Sequence, residues 1–177
     1  MSSSKRKKKL RLPSKITIST AFLAPIDKLV KNLFIGIFHD YHKRFKLKVK
    51  NKKIHVAVCG IEEGTTKDPD QMGITISTDD RILIQVRDPS LEDSPENLTH
   101  CYVTVKFTEV LCHEMTHAMQ NITGRKPKEF GNIRHKKKNT GEAYFFDQYE
   151  VEARILESFY ASTLGTKLMK ASFDGSE

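Results

Sequence analysis

Apolar positions recur at helical spacing in three stretches of this chain and alternate with polar ones in three others. From Ala24 to Phe45, Leu29, Leu33, Ile37 and Tyr41 share one helical face with Phe34 and Phe38 beside them, and Pro25 suits the first turn. "IHVAV" at 54–58 predicts a strand closed by Gly60, and the polar "GIEEGTTKDPDQMG" at 60–73 predicts a loop. "ITIS" (74–77) and "RILIQV" (81–86) alternate on either side of "TDD", the pattern of a hairpin. After the loop "DPSLEDSPEN", Ser94-Pro95-Glu96 starts a helix that runs to Asn121 and is stopped by Gly124, with β-branched "YVTV" at 102–105 opposing it. A last helix is predicted from about Gln148 to Leu164, ended by Gly165, beyond a basic loop at 125–141. This order of helix, strands, helix, helix, with no internal repeat, predicts an α+β fold.

With 177 residues the chain reads as one domain with tails, large enough to bury a core without disulfides. No secretory segment is visible near the N-terminus. The apolar stretch Leu29–Phe38 is broken by Lys31 and Asn32 and is too short for a membrane span. Three cysteines, an odd number without a Cys-x-x-Cys pair, suit reduced thiols in a cytosol-like compartment. The net charge of +8 is uneven: residues 1–15 hold seven cations and no acid, so the remaining 23 cations face 22 acids. The expected organisation is a basic tail (1–15), a folded domain (16–165) and a C-terminal tail (166–177). The tail, with basic clusters at Lys43–Lys53 and Arg125–Lys138, makes non-specific contact with nucleic acid an expectation. Neither cluster is interleaved with aromatic residues as a base-stacking platform would be.

The candidate chemistry lies in "LCHEMTHAMQ" at 111–120. On a helix, His113 and His117 project from one face four residues apart, and Glu114 stands beside the first of them, within reach of water on a shared ion. Two ligands are too few. Extending the motif gives Gln120 and Thr123 where a metzincin requires Gly and His, which excludes that class. His135 is a second candidate, but it lies in "IRHKKK", among cations that repel a metal ion. In "DQYEVEARILESFY", Glu152 is the one charge on the stripe Tyr149, Glu152, Ala153, Leu156, Phe159 and Tyr160. A carboxylate so placed is either a metal ligand or half of a buried ion pair. Glu150 has a structural task available, capping with Asp147 and pairing with Arg154. The expected ligand set is therefore His113, His117 and Glu152, with Glu114 as general base.

"HEMTH…Q…TG" followed by "Y…YEVEA" resembles zincin metallopeptidases of the gluzincin kind, in which a second helix supplies a ligand Glu often followed by Ala. It looks especially like short phage- and virus-encoded members. The resemblance covers about residues 70–160 and is strongest at 113–124 and 149–153. It implies a minimal zincin fold, a small twisted sheet packed on two metal-bearing helices, with His113, His117 and Glu152 matching the ligands and Glu114 the base. Gln148-Tyr149 and the basic connecting loop depart from the pattern and bear on substrate class. A second resemblance is to SprT-like DNA-associated proteases, whose third ligand, a His, falls near His135; here no Gly follows His135 and no zinc ribbon follows the domain.

What these resemblances imply is a zinc-dependent hydrolase of peptide bonds. Three protein ligands leave one position on Zn²⁺ for water, whose proton Glu114 takes. "RILIQV" or "GITIS" is the candidate edge strand for a peptide substrate. Tyr144, Tyr149 and Arg154 are candidate oxyanion stabilisers. His39, His42 and Cys112 are read as structural or solvated. The competing class is a non-catalytic zinc-containing protein that binds nucleic acid or a virion. The expected location is the cytoplasm, of the host if the chain is phage-encoded, with no membrane contact.

Overall fold

The computed structural model describes residues 10–22, 26–49, 51–61, 71–87, 100–126, 147–165 and Lys167. Among them, β1 is Ile16–Thr20, α1 Ile26–Phe45, β2 Ile54–Gly60, β3 Gly73–Ser77, β4 Arg81–Val86, α2 His100–Thr123 and α3 Gln148–Tyr160, which runs on into a π-helical turn at Ala161–Gly165. The chain is thus α+β, with one mixed sheet of four strands in the order β1-β2-β4-β3.

Burial of alternate residues builds the sheet. Ile54, Val56 and Val58 of β2 and Ile82, Ile84 and Val86 of β4 point to one face and form a single core with Leu33, Phe34 and Ile37 of α1 and Leu111, Met115 and Met119 of α2. On the other face Thr17 and Ser19 bracket the two ring nitrogens of exposed His55 at 2.9 and 3.0 Å. Helix α1 forms because Leu29, Val30, Leu33, Phe34, Ile37, Phe38 and Tyr41 make one buried stripe, and its charges suit its ends: Asp27 in the first turn, His42, Lys43 and Arg44 in the last. It carries the chain from β1 to the parallel neighbour β2, in register Ile16↔Ile54. The hairpin holds as expected, with β3 antiparallel to β4 in register Ile76↔Leu83. Among the described strands β3 lies at an edge of the sheet and β4 inside it.

Three features depart from the sequence reading. "ITIST" at 16–20 forms β1, a strand whose alternating β-branched residues were a legible signal. Helix α2 runs through "YVTV", so helical context overrides β propensity there. The last helix changes to π geometry after Tyr160, before the predicted stop at Gly165.

Gly124 stops α2 by the expected mechanism. It is left-handed (φ 66°), with Gly124 N–H donating to Asn121 O at 3.2 Å and Arg125 N–H to Gln120 O at 3.1 Å, the paired bonds of a Schellman motif. Lys46 follows α1 in the same backbone region (φ 52°) without being glycine. The two positions should respond oppositely to substitution. Gly124→Ala is expected to cost about 1–2 kcal/mol, and Lys46→Gly to gain up to about 1 kcal/mol, read from urea denaturation midpoints. Equal and same-signed shifts would contradict this.

Candidate metal centre

The two histidines lie mid-helix on α2, and α3 crosses beside them. His113 Nε2 and His117 Nε2 are 3.2 Å apart. The Glu150 carboxylate spans both, with one oxygen 3.2 Å from His117 Nε2 and the other 3.3 Å from His113 Nε2. His113, His117 and Glu150 converge on one point and could hold a metal ion.

The outer nitrogens are fixed as well. His113 Nδ1 lies 3.1 Å from Glu157 Oε2, and only an N–H can face a carboxylate oxygen there. His117 Nδ1 lies 2.9 Å from Gln120 Oε1, and the Gln120 amide is oriented because its Nε2 donates to Tyr149 O at 3.1 Å. Both neutral imidazoles therefore keep their protons on Nδ1, and both Nε2 lone pairs face the same point as a carboxylate. That is the arrangement of a ligand set with its supporting shell.

Glu152 is elsewhere, which corrects the expectation that it is the third ligand. Its oxygens accept from Tyr41 Oη at 2.6 Å, Gln120 Nε2 at 3.3 Å, and Arg125 through Nε at 2.8 Å and Nη2 at 2.7 Å. The residue is 7% exposed, and its partners saturate it. The apolar stripe was read correctly, since Glu152, Ala153, Leu156 and Tyr160 are buried. The consequence drawn from it was not: the buried carboxylate is half of an ion pair. Residues two apart on a helix diverge by about 200°, so Glu152 facing α1 and the end of α2 turns Glu150 toward the histidines. The N-cap belongs to Asp147, whose side chain accepts from Tyr149 N–H at 2.8 Å.

Glu114, 7% exposed, accepts a hydrogen bond from Thr75 Oγ1 at 2.7 Å. Burial raises its pKa, against the Thr75 hydrogen bond and the nearby histidines, and the net direction is up. Strand β3 passes so close that a Cβ on Gly73 would lie 2.8 Å from Glu114 Oε1 and from Val110 Cγ1, so glycine is what lets the strand meet the helix. A cleft of about 780 Å³ opens along β3 over His113, Glu114, His117 and Glu150, with Tyr149 and Lys126 on its rim.

No protein-family model and no curated protein sequence matches this chain.

Of the other candidates, Tyr149 lines the cleft, while His135 and Tyr144 lie outside the described residues. Cys112 is fully buried, and burial pushes its thiol pKa far up, so it is a packing residue. His39 reaches the Arg11 carbonyl at 2.8 Å. Sequence reasoning passed over Glu157, Gln120 and Thr75. Glu150 and Glu157 stand seven residues apart, two helical turns on one face, and Gln120 stands three beyond His117; both spacings were available signals.

Glu150→Gln is expected to lose most of the bound metal, and Glu157→Gln to weaken it about 10–100-fold. Glu152→Gln should retain metal while costing about 3 kcal/mol, because Arg125 loses its buried counter-charge. Metal analysis of the folded proteins and chemical denaturation check this; loss of metal only in Glu152→Gln would reverse the assignment.

A proton takes the ion's place in the metal-free chain. Burial lowers the His113 pKa, but hydrogen bonds to Glu150 and Glu157 outweigh it and push the group up to about 9; His117 also moves up, burial opposing and Glu150 favouring the charge. Because the folded pKa exceeds the unfolded value of 6.5, this stabilisation is complete below about pH 6.5 and is lost as pH rises through about 9. Metal binding must expel the proton, so affinity should rise over the same window. Calorimetry at pH 7 in buffers of different ionisation enthalpy should detect release of about one to two protons per ion. A buffer-independent heat would contradict it.

Proposed function

We propose that the chain is a zinc-dependent metallopeptidase of minimal zincin, gluzincin-like type, with His113, His117 and Glu150 as ligands and Glu114 as general base. The carrying observation is the spacing of the three donors. Ligand atoms about 2.0–2.1 Å from a tetrahedral zinc stand about 3.3–3.4 Å apart; the two histidine Nε2 atoms stand 3.2 Å apart, and the Glu150 carboxylate spans them with one oxygen 3.2 Å from His117 Nε2 and its other oxygen 3.3 Å from His113 Nε2. Among the described residues the donors are two imidazoles and one carboxylate, the set of an open hydrolytic zinc site, whereas structural sites are usually closed by four.

Bound zinc supplies a Lewis acid and makes water acidic enough to surrender a proton near neutral pH. The protein's own groups do the rest. Glu114, with its raised pKa, takes that proton and returns it to the leaving amine. The Thr75 hydroxyl holds the carboxylate in place. Glu157 and Gln120 keep both histidines in the ligating tautomer. Among the described residues β3 pairs with β4 on one side and borders the cleft on the other, so an extended peptide can add to it as a further strand across the site. Of the two candidate edges, "GITIS" supports this reading and the internal "RILIQV" does not.

The alternative with His135 as ligand, as in SprT-like proteases, is not required for a three-donor set, since Glu150 stands beside both histidines; His135 itself lies outside the described residues. The open cleft and the buried carboxylate beside it favour hydrolysis over a purely structural zinc.

Glu114→Gln tests the proposal. The variant should bind zinc as the parent does while its kcat for an unfolded protein substrate falls about 10²–10⁴-fold. Chelation should abolish the parent's activity and added zinc restore it. A zinc-loaded parent without peptidase activity, or a fully active Glu114→Gln, would sink it.

A further inference from the structure

The fold gathers cations that are dispersed in the sequence. β1 and β2 are parallel and start side by side, with Ile54 N–H donating to the Lys15 carbonyl at 2.9 Å and the Lys15 ammonium donating to Asn51. The Arg11 carbonyl meets His39 on α1. The segment before β1, the end of α1 and the approach to β2 thus form one face, carrying exposed Arg11, Lys15, Lys43, Lys46, Lys48 and Lys53. Two of the nearby acids are committed, Asp40 to Arg44 at 3.0 Å and Asp79 to Lys52 at 3.4 Å, and Asp80, whose carbonyl accepts from His55 N–H at 2.9 Å, stands as a further acid beside the start of β2. Among the described residues no carboxylate pairs with Lys43, Lys46, Lys48 or Lys53. Lys46 occupies a left-handed position where glycine is cheaper, and still presents an ammonium. In the sequence, Lys5, Arg6, Lys7, Lys8 and Lys9 join the chain directly ahead of this face.

The face also reaches the cleft. The Arg125 guanidinium stacks 3.6 Å over the Phe45 ring, next to Lys46, and both Arg125 and Lys126 line the metal cleft.

We propose that this face docks the phosphate backbone of a nucleic acid alongside the metal cleft, without reading sequence. Such density of uncompensated cations matches a polyphosphate. Base-specific or stacking contact is not part of it, since Phe45 is capped by Arg125 and Tyr41 is buried. A lipid surface fits less well. Interfacial helices insert an apolar face, whereas that of α1 is consumed by the core, and among the described residues of this face only Leu10 is a large exposed hydrophobe. The inference stands independently of peptide hydrolysis.

The test is fluorescence anisotropy of the full chain with a labelled random-sequence DNA duplex over a range of salt concentrations, repeated for Lys46→Gln/Lys48→Gln/Lys53→Gln. The parent should bind with a steep log–log salt dependence. The triple variant should bind about tenfold or more weakly, with a slope smaller by about two to three, while its metal content and melting temperature are unchanged. Absence of salt-sensitive binding by the parent would overturn the proposal, as would identical affinity and slope in the variant, which would assign the contact to residues 1–9 alone. Lysine-dependent binding to vesicles containing phosphatidylserine, with no binding to duplex, would replace the nucleic acid with a membrane.

Discussion

A carboxylate at 7% exposure cannot be left without compensation, and Glu152 organises this molecule around that constraint. It ties three helices together: α3 supplies the carboxylate, α1 supplies Tyr41, and α2 with the turn that follows it supplies Gln120 and Arg125. The knot fixes how α3 is rotated about its axis. With Glu152 turned to Arg125, Glu150 and Glu157 face the histidines. The knot also orients Gln120, which donates to Glu152 and presents its carbonyl to His117. A buried ion pair contributes little net stability against apolar packing; here its effect is orientation.

The cap of α2 belongs to the same design. Its left-handed glycine returns the chain so that Arg125 N–H meets the Gln120 carbonyl while the side chain reaches back over Phe45 to Glu152. A single Gly thus decides where a helix ends and where a buried charge finds its partner.

The sequence was informative where one physical rule acts alone. Helix α1, the hairpin, the stop at Gly124 and the pairing of His113 with His117 each follow from a local periodicity or a backbone requirement. The parallel pairings of β1 with β2 and β2 with β4 were not legible, because register across a long connection leaves no local mark. The third donor failed for a sharper reason. Glu152 and Glu150 were weighed by asking which one the apolar stripe would bury, and the stripe did bury Glu152. Burial, however, has two remedies for a carboxylate, a metal and a guanidinium, and the guanidinium lies at Arg125, 27 positions away (152 − 125). Helix α3 has two occupied sides, so its more polar side faces another helix rather than water, and Glu150 is half-buried there.

The donor set joins distant parts of the chain. His117 and Glu150 are 33 positions apart (150 − 117), so an ion held by both closes a loop of that length. In polymer terms it is a reversible cross-link, which removes configurational freedom from the unfolded chain much as a disulfide would, on the order of 3–4 kcal/mol for such a loop in the chain-entropy account. Among the described residues, which hold no Cys–Cys staple, such an ion would be a removable fastener placed at the candidate metal centre.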